Sequence, residues 1–348
     1  MAGAVLSIRY INKGKWGIVL RSKRFWTLDF LKAISILAVI LGHIASPFGR
    51  FIFAWHMPAF FFASGVLLRA QQEKGEPLAV FSKHDLSRFG RYYLFFGLLG
   101  ILAESIKVWV LKRPPMDLWQ TIVGFVYFMD MPHLNHYGYI LWFLPALFWG
   151  KIFTRGLICY AKKPAYIFLG AISLFILGWL LPKEFPVGFG IHEGLLAVLW
   201  CVLGYLLAKS FDGGKLSSLV GCIAFTAGWI AVGCIPVPYM DLASYTIPFP
   251  LSAILYSILV ISLWLCLGKY LEKYGTVWGR GIECLSKYSV YIMGFHVYTN
   301  NVAVLFLRHW HYESWWMSFL LSCLLLFPLL WVVVFLQVRV GTMGKGVM

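Results

Sequence analysis

Apolar runs of about 20 residues recur along the whole of this 348-residue chain, and that is the length an α-helix needs to cross the hydrocarbon core of a bilayer. No water is present there to satisfy peptide groups, so each run must close its own hydrogen bonds as a helix. The runs read as spans at about 27–46, 51–70, 92–110, 138–157, 164–182, 189–208, 217–235, 246–268, 284–307 and 314–338. The expected fold is all-α: a polytopic integral membrane protein with about ten transmembrane helices. Sixty per cent hydrophobic residues beside 13% charged exclude a soluble globule. The absence of an internal repeat argues against a transporter built from two related halves.

A net charge of +16 raises the question of nucleic acid, but the basic residues sort by side of the membrane. With the N-terminus inside, most of the 30 lysines and arginines fall on the cytoplasmic side: the stretch from Arg9 to Arg24, then Arg69 to Arg91, Lys151 to Lys163, and those from Lys209 onward other than Arg308. Arg50, Lys107, Lys112, Arg113, Lys183 and Arg308 fall outside. This asymmetry orients an inner-membrane protein with both termini cytoplasmic, in a bacterial plasma membrane. It divides the chain into a basic N-terminal arm (1–26), a transmembrane domain (27–338) and a cytoplasmic tail (339–348). The first run follows a long polar and basic stretch and carries Asp29 and Lys32, so it reads as a retained span rather than a cleaved signal peptide.

Three connecting segments stand out. Residues 71–91 read as a polar cytoplasmic loop ending in SRFGRYYL, residues 269–287 as a second basic loop, and residues 111–137 as an external segment with an interfacial or re-entrant helix. The seven cysteines are dispersed without metal-ligand spacing and read as packing residues, so no metal is expected.

Ionisable groups inside apolar spans narrow the function. A charged side chain at the centre of a membrane helix costs about 2.5–3.5 kcal/mol, so such groups tend to mark reaction or transport paths. Lys32 and His43 lie eleven positions apart in the first span. On a helix that leaves them about 20° apart in direction and about 16.5 Å apart along the axis. Arg88 and Arg91, three apart before the third span, share a helical face and can grip a phosphate, although basic residues also flank cytoplasmic span ends as a matter of course. With Lys32 they form a basic mouth suited to an anionic donor such as coenzyme A. His43 lies deeper, at a distance a pantetheine arm can bridge, and is suited to take a proton from a hydroxyl. Its plainer reading is a hydrogen bond to another helix. His56, His192, Glu193 and His296 fall at similar depth and suggest a polar cavity, each with a packing or solvated alternative. Glu104 in the third span needs a partner or water. Trp142, in LWFL, is either an interfacial belt residue or a sugar-stacking platform.

Taken in order, these segments resemble the integral-membrane acyltransferase 3 family, including its fucose 4-O-acetylase-like branch. The resemblance rests on the spacing from Lys32 to His43, HMPAFFFASG at 56–65, the Arg88 and Arg91 pair, LWFL at 141–144 and SKYSVYIMGFH at 286–296. It covers about residues 24–338. It implies a ten-helix enzyme that moves acetyl groups from cytoplasmic acetyl-CoA to hydroxyls of cell-surface or exported carbohydrate. His43 is then the catalytic residue; Lys32, Arg88 and Arg91 bind the acyl-CoA; His56, Trp142, Glu193 and His296 are candidates for the acceptor site. Lysine stands at position 32 where many relatives carry arginine, which keeps phosphate contact but removes the guanidinium fork. The fused extracytoplasmic hydrolase-like domain of larger members is absent from this reading.

The expected partners are acyl-CoA, a carbohydrate or lipid-linked sugar and membrane lipid, with no nucleic acid. Direct transfer and an acyl-histidine intermediate both stay open, as do acetyl and succinyl donors and the identity of the sugar. A polysaccharide or lipid-linked sugar exporter is the alternative function, since the same buried groups can line a route. A scaffold whose histidines serve only packing ranks third.

Overall fold

The computed structural model describes residues 7–11, 15–19, 26–72, 77–110, 112, 117–127, 141–161, 163–182, 187–208, 228, 232–272, 279–312 and 314–343. A β-hairpin, β1 (Ser7–Ile11) paired antiparallel with β2 (Lys15–Val19), precedes a helical body. That body comprises α1 (Trp26–Gly42), α2 (Gly49–Phe53), α3 (His56–Gln72), α4 (Leu78–Val110), α5 (Leu118–Tyr127) and α6 (Phe143–Tyr160). It continues through α7 (Pro164–Leu180), α8 (Ile191–Leu207), α9 (Pro250–Leu271), α10 (Gly279–Lys287), α11 (Ser289–His309) and α12 (Trp315–Met343).

Among the described residues, five helical stretches are long and apolar enough to cross a membrane: Gly49–Arg69, Leu78–Val110, Pro250–Leu271, Ser289–His309 and Trp315–Phe335. Pro164–Leu180 and Ile191–Leu207 are apolar but shorter. Leu94, Leu98 and Leu102 on α4, and Phe327 and Trp331 on α12, are exposed at helical spacing. A soluble fold seldom leaves such a stripe in water, whereas lipid covers it at no cost.

Two expected loops are partly helical. In the segment read as a loop at 71–91, residues 78–91 are the opening of α4, which begins at Leu78. Phe81, Asp85 and Phe89 recur every four residues and are buried, so an amphipathic turn extends the span at its polar end. Likewise Gly279–Lys287, in the segment read as a basic loop, forms α10. The short helix expected within 111–137 is present as α5. The expected seventh span at 217–235 lies almost wholly outside the described residues, as does most of the basic arm.

Two helices organise the packing. α1 touches α3, α9, α10 and α11, while α8 touches α3, α6 and α7. The approach of α3 to α8 depends on glycine: a Cβ at Gly65 would strike the Cys201 carbonyl, and one at Gly204 would strike the Phe62 carbonyl. Small residues let helices approach backbone to backbone where lipid provides no hydrophobic drive for association. The described cysteines are free, and Cys201 is packed in the core.

Candidate active site

Two cavities flank α1. One is basic: Lys32, Arg88 and Lys287 line about 230 Å³ together with Tyr92, Ser64 and Ser286. The other, about 30 Å³, holds His43, His56, Trp142 and Asp241. Phe143 and Met293 line both, so they form the wall between them.

Lys32 is half-buried, and its Nζ donates to the Ser286 carbonyl at 3.1 Å. Ser286 Oγ donates to Asp29 Oδ1 at 2.5 Å, which ties α10 to the start of α1. Arg88 takes its place from a buried ion pair. Asp85 on α4 accepts a hydrogen bond from Lys151 on α6, and its other oxygen lies 3.8 Å from Arg88 Nη2. Arg91 is not among the residues lining the basic cavity; it is exposed, with Nε donating to the Ser87 carbonyl at 3.1 Å. Lys287, which the sequence presented as ordinary flanking charge, is there instead.

His43 follows the last residue of α1 but keeps the helical pattern, its backbone N–H reaching the Val39 carbonyl at 3.3 Å. Its Nδ1 lies 2.9 Å from the same carbonyl. A carbonyl only accepts, so Nδ1 carries the hydrogen and Nε2 holds the lone pair in the neutral ring. His56 is oriented the same way by the Ile52 carbonyl at 2.7 Å, and His296 by Met293 at 2.6 Å. The His296 ring meets that of His43 edge-on, with centroids 4.8 Å apart. His296 is fully buried and lies behind His43, outside the cavity lining.

A polar network holds this arrangement. Asn300 Nδ2 on α11 donates to the Ile40 carbonyl at 2.9 Å, while its Oδ1 accepts from Ser322 Oγ of α12 at 2.5 Å. Ser322 is also 2.8 Å from Thr299 Oγ1. The end of α1 is thereby fastened three residues before His43. Sequence reading passed over these residues because short polar side chains in a span carry no charge to reveal them.

The remaining candidates lie elsewhere. His192 and Glu193, at the start of α8, line neither cavity. Glu193 Oε1 accepts from Tyr245 at 3.0 Å, and His192 stacks on the Tyr245 ring with centroids 4.0 Å apart. Glu104 pairs with Lys107 at 2.9 Å, one turn along α4. Among the described residues, no group of three or more His, Cys, Asp or Glu side chains is disposed to hold a metal ion.

A helical membrane protein with a tautomer-fixed histidine in a cavity next to a cationic one has the parts of a group-transfer enzyme. Comparison with known families agrees: residues 25–337 match the family model described as an acyltransferase domain. This chain belongs to the acyltransferase 3 family, and is a membrane acyltransferase. No curated protein and no solved structure matches it.

Proposed function

We propose that this protein takes an acetyl group from cytoplasmic acetyl-CoA and transfers it to a hydroxyl of a cell-surface or exported polysaccharide, or of its lipid-linked precursor. The observation that carries the reading is the pair of cavities with a common wall at Phe143 and Met293, one lined by three cations and the other by His43. Phosphates of the donor would sit against Lys32, Arg88 and Lys287, with Arg91 adding to the field at the entrance. The charge asymmetry along the sequence supports a ten-span topology with both termini cytoplasmic, in a bacterial inner membrane. The basic cavity then faces the cytoplasm and His43 lies toward the outer face.

In this reading His43 Nε2 takes the proton as the acceptor oxygen bonds to the thioester carbonyl carbon. The carbon–sulfur bond breaks on collapse of that adduct, and the leaving thiolate receives the proton from His43. Ester and free coenzyme A thiol are the products, and His43 returns to its neutral state. The cavity beside His43, about 30 Å³, has room for about one or two water molecules, so a sugar hydroxyl would displace part of its wall. His56 and Trp142 line that cavity and are the acceptor-side contacts; His296 supports the His43 ring from behind.

The test is transfer of label from acetyl-CoA to carbohydrate in native membranes, with purified protein tested separately for acetyl-CoA binding. His43→Ala should abolish transfer and leave insertion and donor binding intact. Absence of acetyl-CoA binding by the wild-type protein would refute the reading and favour sugar export.

A further inference from the structure

Asp241 lines the cavity of His43. It lies in the segment before α9, where Met240, Asp241, Leu242 and Ala243 all line that cavity. Met240, Leu242 and Ala243 are buried, so this is a packed turn, not a loose loop.

The carboxylate organises the turn. Asp241 Oδ1 accepts from the Ala243 and Ser244 backbone N–H groups at 3.1 and 3.4 Å, and Oδ2 accepts from Ser244 Oγ at 2.7 Å. Asp241 and Thr246 exchange backbone hydrogen bonds at 2.9 and 2.8 Å. Closing so tight a turn puts Tyr245 at a φ of 55°, a left-handed conformation that a tyrosine rarely adopts. The surroundings over-determine it, because the Tyr245 ring stacks on His192 and its hydroxyl is held by Glu193. The pair His192 and Glu193 at the start of α8 therefore braces the turn that carries Asp241.

An Asp in such a turn could be there for the turn alone. Two observations go further: Asp241 lines the same cavity as His43, and the other titratable side chain among the described residues lining it, His56, is an imidazole that offers no negative charge. A carboxylate has lone pairs to spare beyond the three donors it meets. Resting on the transfer reading above, we infer that Asp241 is a positioning residue for His43, the counter-charge that stabilises its imidazolium while it holds the acceptor's proton. The charge exists in the transition state and not in the resting enzyme, so the interaction acts on kcat rather than on donor affinity.

The experiment measures acetyl transfer from labelled acetyl-CoA into the carbohydrate of native membranes, for the wild-type protein and four variants. Asp241→Asn keeps a side-chain oxygen for the Ala243 and Ser244 N–H groups while removing the charge. It should lower kcat about tenfold to a hundredfold, with KM for acetyl-CoA unchanged within about twofold. Asp241→Glu should recover part of the loss. Ser244→Ala weakens the turn but leaves the charge, and should stay within about twofold of wild type. Wild-type kcat in Asp241→Asn, or an equal loss in Ser244→Ala, would overturn the inference. His43→Ala separates the two levels: if it is inactive while Asp241→Asn is fully active, only the role of Asp241 falls. If the wild-type protein itself transfers no acetyl group, the transfer reading falls and this inference with it.

Discussion

Phe143 at the start of α6 and Met293 on α11 stand on opposite helices and together separate the cationic cavity from the histidine cavity. Donor and acceptor halves of the proposed reaction therefore meet at two side chains. In that reaction a thioester carbonyl would approach His43 between an aromatic ring and a flexible thioether, and methionine adapts to such passage more easily than a branched residue.

Replacing Met293 by Trp should obstruct that passage. Transfer is expected to fall about a hundredfold, since small misplacements of a reacting group are costly. Acetyl-CoA binding to the same purified variant, read by equilibrium dialysis, should change little. Equal losses in both would mean that Met293 contacts the donor's phosphate end instead.

The three cations of the basic cavity should differ from Arg91. Arg88→Ala and Lys287→Ala are each expected to raise KM for acetyl-CoA about tenfold or more, as loss of a charge-assisted contact does. Arg91→Ala, exposed and bonded to its own helix, should have a smaller effect. Initial rates over a range of acetyl-CoA concentrations decide the order, and an Arg91 effect larger than that of Arg88 would contradict it.

Asp85 and Lys151 form an ion pair within the packed interface of α4 and α6. Removing one charge strands the other, which costs about 3–5 kcal/mol in buried sites. Asp85→Ala should thus lower the thermal midpoint in detergent far more than Arg91→Ala. It should also weaken donor binding, because Arg88 loses the carboxylate beside it.

Asn300 anchors the end of α1 through the Ile40 carbonyl and joins α12 through Ser322. Asn300→Leu keeps the volume but removes both contacts. A loss of about 1 kcal/mol in stability is expected, the usual scale for one hydrogen bond between membrane helices. The loss in transfer rate should be larger in proportion, because the freed segment carries His43. Comparison of unfolding in detergent with kcat separates the two effects.

Gly65→Val tests the crossing of α3 and α8. The branched side chain would strike the Cys201 backbone, and overpacking of this kind costs about 1–3 kcal/mol. The thermal midpoint should fall, and the His43 cavity, lined in part by α3, should lose activity with it.

Hydropathy determined the class of fold because a bilayer leaves the backbone no option but helix, and each apolar run announces itself by length alone. The relation of Lys32 to His43 was legible for a similar reason: Lys32 lies on α1 and His43 directly after it in the same hydrogen-bond pattern, where spacing converts directly into direction and distance. The amphipathic opening of α4 was harder to read, since its polar residues resemble a loop until Phe81, Asp85 and Phe89 find a partner in α6. Which of Arg88, Arg91 and Lys287 faces the cavity depends on where α10 packs against α1, and no local pattern encodes that. Asp241 sits some two hundred residues from His43 in the chain and carries no motif. Only the folding of its turn against α8 places Asp241 in the lining of the His43 cavity, because contacts between distant segments arise from packing, whereas the bilayer acts on every segment separately.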